Sequence, residues 1–169
     1  MNETPTASAP TPFPLSEWIQ QIVPEVFQTM VTLEVTPASS KLAPATTDRI
    51  VGAIGLGGES VSGAIYLQLT APLADEVTSL LLGMGQDEKP SDADVNDAIG
   101  ELCNMISGGL KSNLANHGFP CAISPPAIVR GTSFSVEAPA DAVPEIFLFD
   151  YQQHRLTVEV HLQVQTNNS

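Results

Sequence analysis

The 169-residue chain is 43% hydrophobic, long enough for one domain with a sizeable core and too short for two comfortable ones. Six basic against nineteen acidic residues leave a formal charge of −13, a sign that repels phosphate backbones and anionic lipid surfaces, so neither nucleic acid nor a membrane is an expected partner. The two cysteines, Cys103 and Cys121, have no Cys-x-x-Cys or His-rich companion, and no secretory or long apolar run is found; a cytoplasmic protein with free thiols is expected.

Residues 1–14 contain four prolines, with Thr, Ser and Ala between them and Phe13 as the one large apolar residue. Such a stretch buries too little surface to offset the entropy of ordering, so a disordered tail is expected over 1–14 and a folded unit over 15–165. From Leu15, the set Trp18, Ile19, Ile22, Val23, Val26, Phe27 and Met30 keeps helical spacing, with Ser16 as the expected N-cap and a kink or restart at Pro24. Glu25 and Gln28 read as the solvated flank of this helix.

A connector rich in Pro, Ser, Ala and Thr over 37–47 leads to a β-hairpin, 49–56 and 61–70, around the turn Gly57-Gly58-Glu59-Ser60. Thr70 and Pro72 signal a helix start, and Leu73, Val77, Leu80, Leu81 and Met84 carry that helix to a stop at Gly83–Gly85. A polar loop, 86–90, follows.

The next segment is the longest helical pattern. Val95, Ile99, Leu102, Ile106, Leu110 and Leu114 trace one stripe, predicting a helix from Ser91 or Asp92 to His117-Gly118 with the stripe inward. At about 100° per residue, Asp97, Glu101, Asn104, Gly108 and Lys111 fall opposite it, with Glu101 and Asn104 one turn apart. Cys103, on the flank of the stripe, reads as a small apolar filler. Ser107-Gly108-Gly109 weakens the helix by about 1 kcal/mol per glycine, which fits close approach of another backbone: Gly109 toward the core, Gly108 toward a partner.

Beyond it, Ser124-Pro125-Pro126 breaks regular structure before a short strand at 127–130, and 131–143 reads mostly as loop. The strongest β signal is 146–151 and 155–165 around Gln152-Gln153-His154, where Leu156, Val158, Val160, Leu162 and Val164 alternate strictly with polar residues, His161 among them. Few βαβ units are present. The expected fold is therefore α+β, a single domain with a largely antiparallel sheet and long helices packed on one face.

The catalytic inventory is short. His117, His154 and His161 lack metal-ligand spacing, a di-iron Glu-x-x-His would need histidine where Asn104 stands, and no GxSxG, GxxxxGK or GxGxxG is present. What remains is Glu101 with Asn104. A carboxylate beside a carboxamide on an exposed helix suits hydrolysis of a phosphoryl group carried by another protein, because phosphoryl transfer needs an in-line water and charge neutralisation more than covalent help.

The stretch Gly100-Glu101-Leu102-Cys103-Asn104-Met105-Ile106-Ser107-Gly108, with Leu82-Gly83, Gly118-Phe119, the Gly-rich hairpin and the run from Ser124 to Gly131, resembles the CheX family of chemotaxis phosphatases, relatives of CheC and FliY. The resemblance runs from about Leu15 to Gln165 and implies a CheC-like fold. It implies a cytoplasmic phosphatase of two-component signalling that hydrolyses the phospho-aspartate of a CheY-like response regulator. By it, Glu101 pairs with the regulator's active-site lysine and Asn104 places the attacking water. From their place on the same outward arc of the helix, Asp97, Gly108 and Lys111 are the expected partner-binding residues. The protein would hold no metal or cofactor of its own, Mg²⁺ residing on the partner regulator. CheC-type relatives carry a second Glu-x-x-Asn, which Glu25 and Gln28 do not supply, so a single site is implied, together with the homodimer of CheX-like proteins. The alternatives are an adaptor of the same fold that binds a receiver domain without hydrolysis, and a sensor with a ligand pocket in its core.

Overall fold

The computed structural model describes residues 11–38, 48–137, 142 and 144–165. Its alternating segments form an antiparallel sheet: β1 (Thr36–Pro37), β2 (Arg49–Gly57), β3 (Val61–Thr70), β4 (Ala122–Ile123), β5 (Ala127–Gly131), β6 (Glu145–Tyr151) and β7 (His154–Val164). The order is β1-β6-β7-β3-β2-β4, with β5 also pairing β2, so among the described residues the sheet has seven strands and every pairing is antiparallel. The helices α1 (Leu15–Val31), α2 (Ala71–Leu82) and α3 (Asp92–Asn116) bury their apolar stripes on one face. The α+β expectation holds.

The β3–β7 register, Val61 opposite Val164 through Leu69 opposite Leu156, lines Ile65, Leu67 and Leu69 up beside Val160, Val158 and Leu156 on the helix side. All six are buried in one core with Ile19, Phe27, Ile99 and Leu102. That close pairing needs Gly63, where a Cβ would collide with the His161 carbonyl oxygen. The hairpin of β2 and β3 forms where its glycine turn places it, and α2 ends at Gly83 in the left-handed region, φ 65°.

Several expectations change. Phe13 is buried, stacks on Trp18 at 5.2 Å between ring centroids and meets Phe119 edge-on at 5.4 Å, so the packed unit begins before Leu15. Residues 1–10 of the expected tail lie outside the described residues, as does most of the connector, 39–47. The N-cap of α1 is Pro14, without a side-chain cap bond; Ser16 sits in the first turn and accepts from Gln20 Nε2 at 3.2 Å. The helix begins there because Leu15 is already core. It also runs unbroken through Pro24, held on both sides by buried Ile22, Val23, Val26 and Phe27, whose packing outweighs one lost backbone bond. His161, expected on a polar face, is 3% exposed, its Nε2 2.6 Å from a Glu159 oxygen and its ring 5.3 Å from that of Tyr66.

Candidate active site

α3 is fixed at both ends before its outward side chains matter. The Ser91 hydroxyl accepts from the Asp94 amide at 3.1 Å, while the Asp94 carboxylate accepts from the Ser91 amide at 3.1 Å and from its hydroxyl at 2.7 Å, a reciprocal capping box. Those bonds favour the ionised carboxylate and hold Asp94 below its usual carboxyl range. From β5, the Arg130 guanidinium donates to the Asp92 carbonyl at 2.9 Å and to Asn96 Oδ1 at 2.6 Å, tying the first turns to the sheet. At the other end His117 Nδ1 donates to the Asn113 carbonyl at 3.0 Å, and its ring lies 4.7 Å from Trp18.

Glycines set the distance between α3 and its neighbours. A Cβ at Gly109 would press on Ile22 of α1 at 3.1 Å, one at Gly100 would meet Pro126 at 3.2 Å, and one at Gly52 of β2 would collide with the Cys103 sulfur. Gly109 therefore admits α1, and Gly100 admits the Ser124-Pro125-Pro126 segment. Ser124 Oγ holds that segment by accepting from the Gly55 amide at 2.9 Å and donating to the Pro125 carbonyl at 3.0 Å. Burial pushes the Cys103 thiol up to about 12, so it stays protonated and inert, as a core filler.

The expected site residues lie together on the outward arc. Glu101, Asp97 and Lys111 are exposed and Asn104 is half-buried; Gly108 has nothing within 4 Å of the place a Cβ would take. Val95, Ile99, Leu102, Ile106, Leu110 and Leu114 are all buried on the opposite side. Glu101 and Asn104 stand one turn apart, about 5–6 Å between Cβ positions by helix geometry. Among the described residues neither side chain has a hydrogen-bond or ion-pair partner within the chain. The pair is thus free to act on something brought to it: a carboxylate to neutralise a cation, an amide to donate and accept at once. No group of three His, Cys, Asp or Glu close enough to hold a metal ion occurs among the described residues.

Two residues of this surface were not singled out from the sequence. Met105 is 41% exposed, one turn beyond Glu101, and Pro126 abuts the turn preceding Asn104. The wheel that turns Glu101 outward takes Met105 off the buried stripe too, so its signal was present; the Pro126 contact depends on tertiary packing.

A family model described as "Chemotaxis phosphatase CheX" matches residues 50–150. The chain is 28% identical over 127 residues to the "CheY-P phosphatase CheX" of Thermotoga maritima, covering 71% of this chain and 79% of that protein. Among solved structures it resembles the chemotaxis protein CheX of Vibrio vulnificus, at TM-score 0.78 and 25% identity over 92% of this chain and all of the other. It also shares its fold with the CheX of a CheX–CheY–BeF3–Mg²⁺ complex from Borrelia burgdorferi, at TM-score 0.67 and 20% identity over 88% of this chain and 97% of that one. No helix among the described residues is long and apolar enough to cross a membrane.

Proposed function

The chain belongs to the CheX family of chemotaxis phosphatases, and on that premise we propose that it hydrolyses the phospho-aspartate of a CheY-like response regulator through Glu101 and Asn104. The observation that carries the reading is a carboxylate and a carboxamide unpaired among the described residues, one turn apart on the outward side of a helix whose other side and both ends are locked.

In this mechanism the Glu101 carboxylate engages the regulator's active-site lysine in a charge-assisted hydrogen bond, which orients the docked partner. The Asn104 side-chain oxygen accepts a hydrogen bond from a water and its N–H donates toward the phosphoryl site, holding that water in line with the bond to be cut. Attack forms a bond from the water oxygen to phosphorus and breaks the bond from phosphorus to the aspartyl oxygen. The products are the free carboxylate and inorganic phosphate, and the water's proton leaves with phosphate or solvent. Charge on the transferring group is met by Mg²⁺ bound to the regulator, this chain supplying positioning alone. Asp97, Gly108 and Lys111 extend the contact along about 21 Å of α3 at 1.5 Å per residue. The Borrelia protein's complex with CheY supports the choice of partner. A cytoplasmic homodimer belongs to the same proposal and rests on the family resemblance.

The test is the decay of a phosphorylated CheY-type receiver domain with and without the protein. Acceleration at sub-stoichiometric concentration is expected. Binding without acceleration would make the protein an adaptor, and a mass measurement in solution checks the dimer.

A further inference from the structure

Resting on the function proposed above, we infer that Met105 is the apolar contact on which the receiver domain seats, acting in docking and not in the chemistry. The large apolar residues of α3's periodic stripe, Val95, Ile99, Leu102, Ile106, Leu110 and Leu114, are 1% exposed or less, whereas Met105, which lies off that stripe, is 41% exposed. It is not overflow from the core. The helical wheel sets it beside Glu101, four residues earlier, and one turn from Gly108, where the missing side chain leaves open space over the helix backbone. A projecting, flexible thioether therefore stands next to a hollow, within one turn of both proposed acting residues.

Geometry and charge commit this surface to one occupant. A protein that brings a phosphoryl group to Asn104 and a lysine to Glu101 must cover Met105, since a specific interface takes about 800 Å² from each partner and the three residues share less than two turns. The outward charge of α3 is also uneven: Asp97 and Glu101 stand in the N-terminal half, after Asp92, which pairs with Arg130 at 3.6 Å, and Asp94, which caps the helix, whereas Lys111 is the charged residue of the C-terminal half. That half complements a partner whose basic group must lie at Glu101. An apolar contact at the centre of a polar rim is the arrangement in which one side chain dominates affinity, and methionine adapts to the shape it meets.

The experiment titrates wild-type, Met105→Ala and Ile146→Ala proteins with a CheY-type receiver loaded with beryllofluoride and Mg²⁺, by calorimetry, and then measures turnover of the phosphorylated receiver. Ile146 is the control: it is 57% exposed but lies on β6, at the other side of the sheet from β2 and β5. Met105→Ala should weaken Kd and raise KM about tenfold with kcat within twofold, and Ile146→Ala should change neither. Wild-type Kd in Met105→Ala, or a loss confined to kcat, overturns the inference. So does a change in self-association with receiver binding intact, which would assign Met105 to a contact between copies. If the wild-type protein binds the loaded receiver but leaves phosphoryl decay unchanged, the phosphatase reading fails while the Kd series still decides the docking role.

Discussion

Glu101 and Leu102 are consecutive residues of α3 with opposite surroundings. Leu102 is fully buried in the core, whereas Glu101 is exposed and unpaired among the described residues. Inward, the helix is held by contacts with little slack: Cys103 fills the space over Gly52, and Ile22 presses on Gly109. Outward, beyond the first turns that Asp94 and Asn96 help to anchor, no hydrogen bond or ion pair among the described residues holds Glu101 or Asn104. One helix thus divides by face the residues that hold the fold from those proposed to act, and substitutions on each face test that division.

The largest stability effect is expected inward. Leu102→Ala leaves a cavity where no neighbour is free to collapse, for a loss of about 2–5 kcal/mol in denaturant unfolding. The folded fraction should retain its turnover, and a specific loss of kcat would break the separation. Phe13→Ala is next, at roughly 3 kcal/mol, because it removes the ring stacked on Trp18 and edge-on to Phe119, the cluster that also touches His117 at the end of α3. An unchanged melting temperature would return residue 13 to the tail. Outward, Glu101→Ala should lower kcat/KM by an amount equivalent to about 1.5–3 kcal/mol, the value of a charge-assisted contact at an interface. Its stability should change by less than about 0.5 kcal/mol, read from the same melts. The smallest effect is Ser107→Ala. Its hydroxyl is fully buried with no hydrogen-bond partner among the described residues, so removing it should be neutral or stabilising by up to about 1 kcal/mol, and a loss of several would mean that a partner exists.

Much of this contrast was legible in the sequence, because α3 carries a sustained 3.6-residue period and a Ser91/Asp94 cap, both local signals. The two hairpins were legible for the same reason, through alternation and turn residues. What escaped depends on contacts distant in sequence. Phe13 stands alone among prolines and has no period; its burial comes from Trp18 and Phe119. His161 sits at a polar position of an alternating strand, and its burial reflects Tyr66 across the sheet and Glu159 beside it. β1 and β4, two residues each, are too short to show a period and exist through pairing with β6 and β2. The Glu101–Asn104 pair was visible as a spacing, but its freedom from internal partners, and the locking of the helix that presents it, required the structure.

In the proposed mechanism Asn104 contributes to the reaction and not to the fold. The most direct measurement pairs a thermal melt with steady-state turnover of a phosphorylated CheY-type receiver for Asn104→Ala. The melting temperature should stay within about 1–2 °C of wild type and KM should be unchanged, while kcat falls by about 10²-fold, the usual loss when one positioned hydrogen-bonding group is removed. Wild-type kcat, or a loss of turnover that merely tracks loss of folded protein, would contradict it.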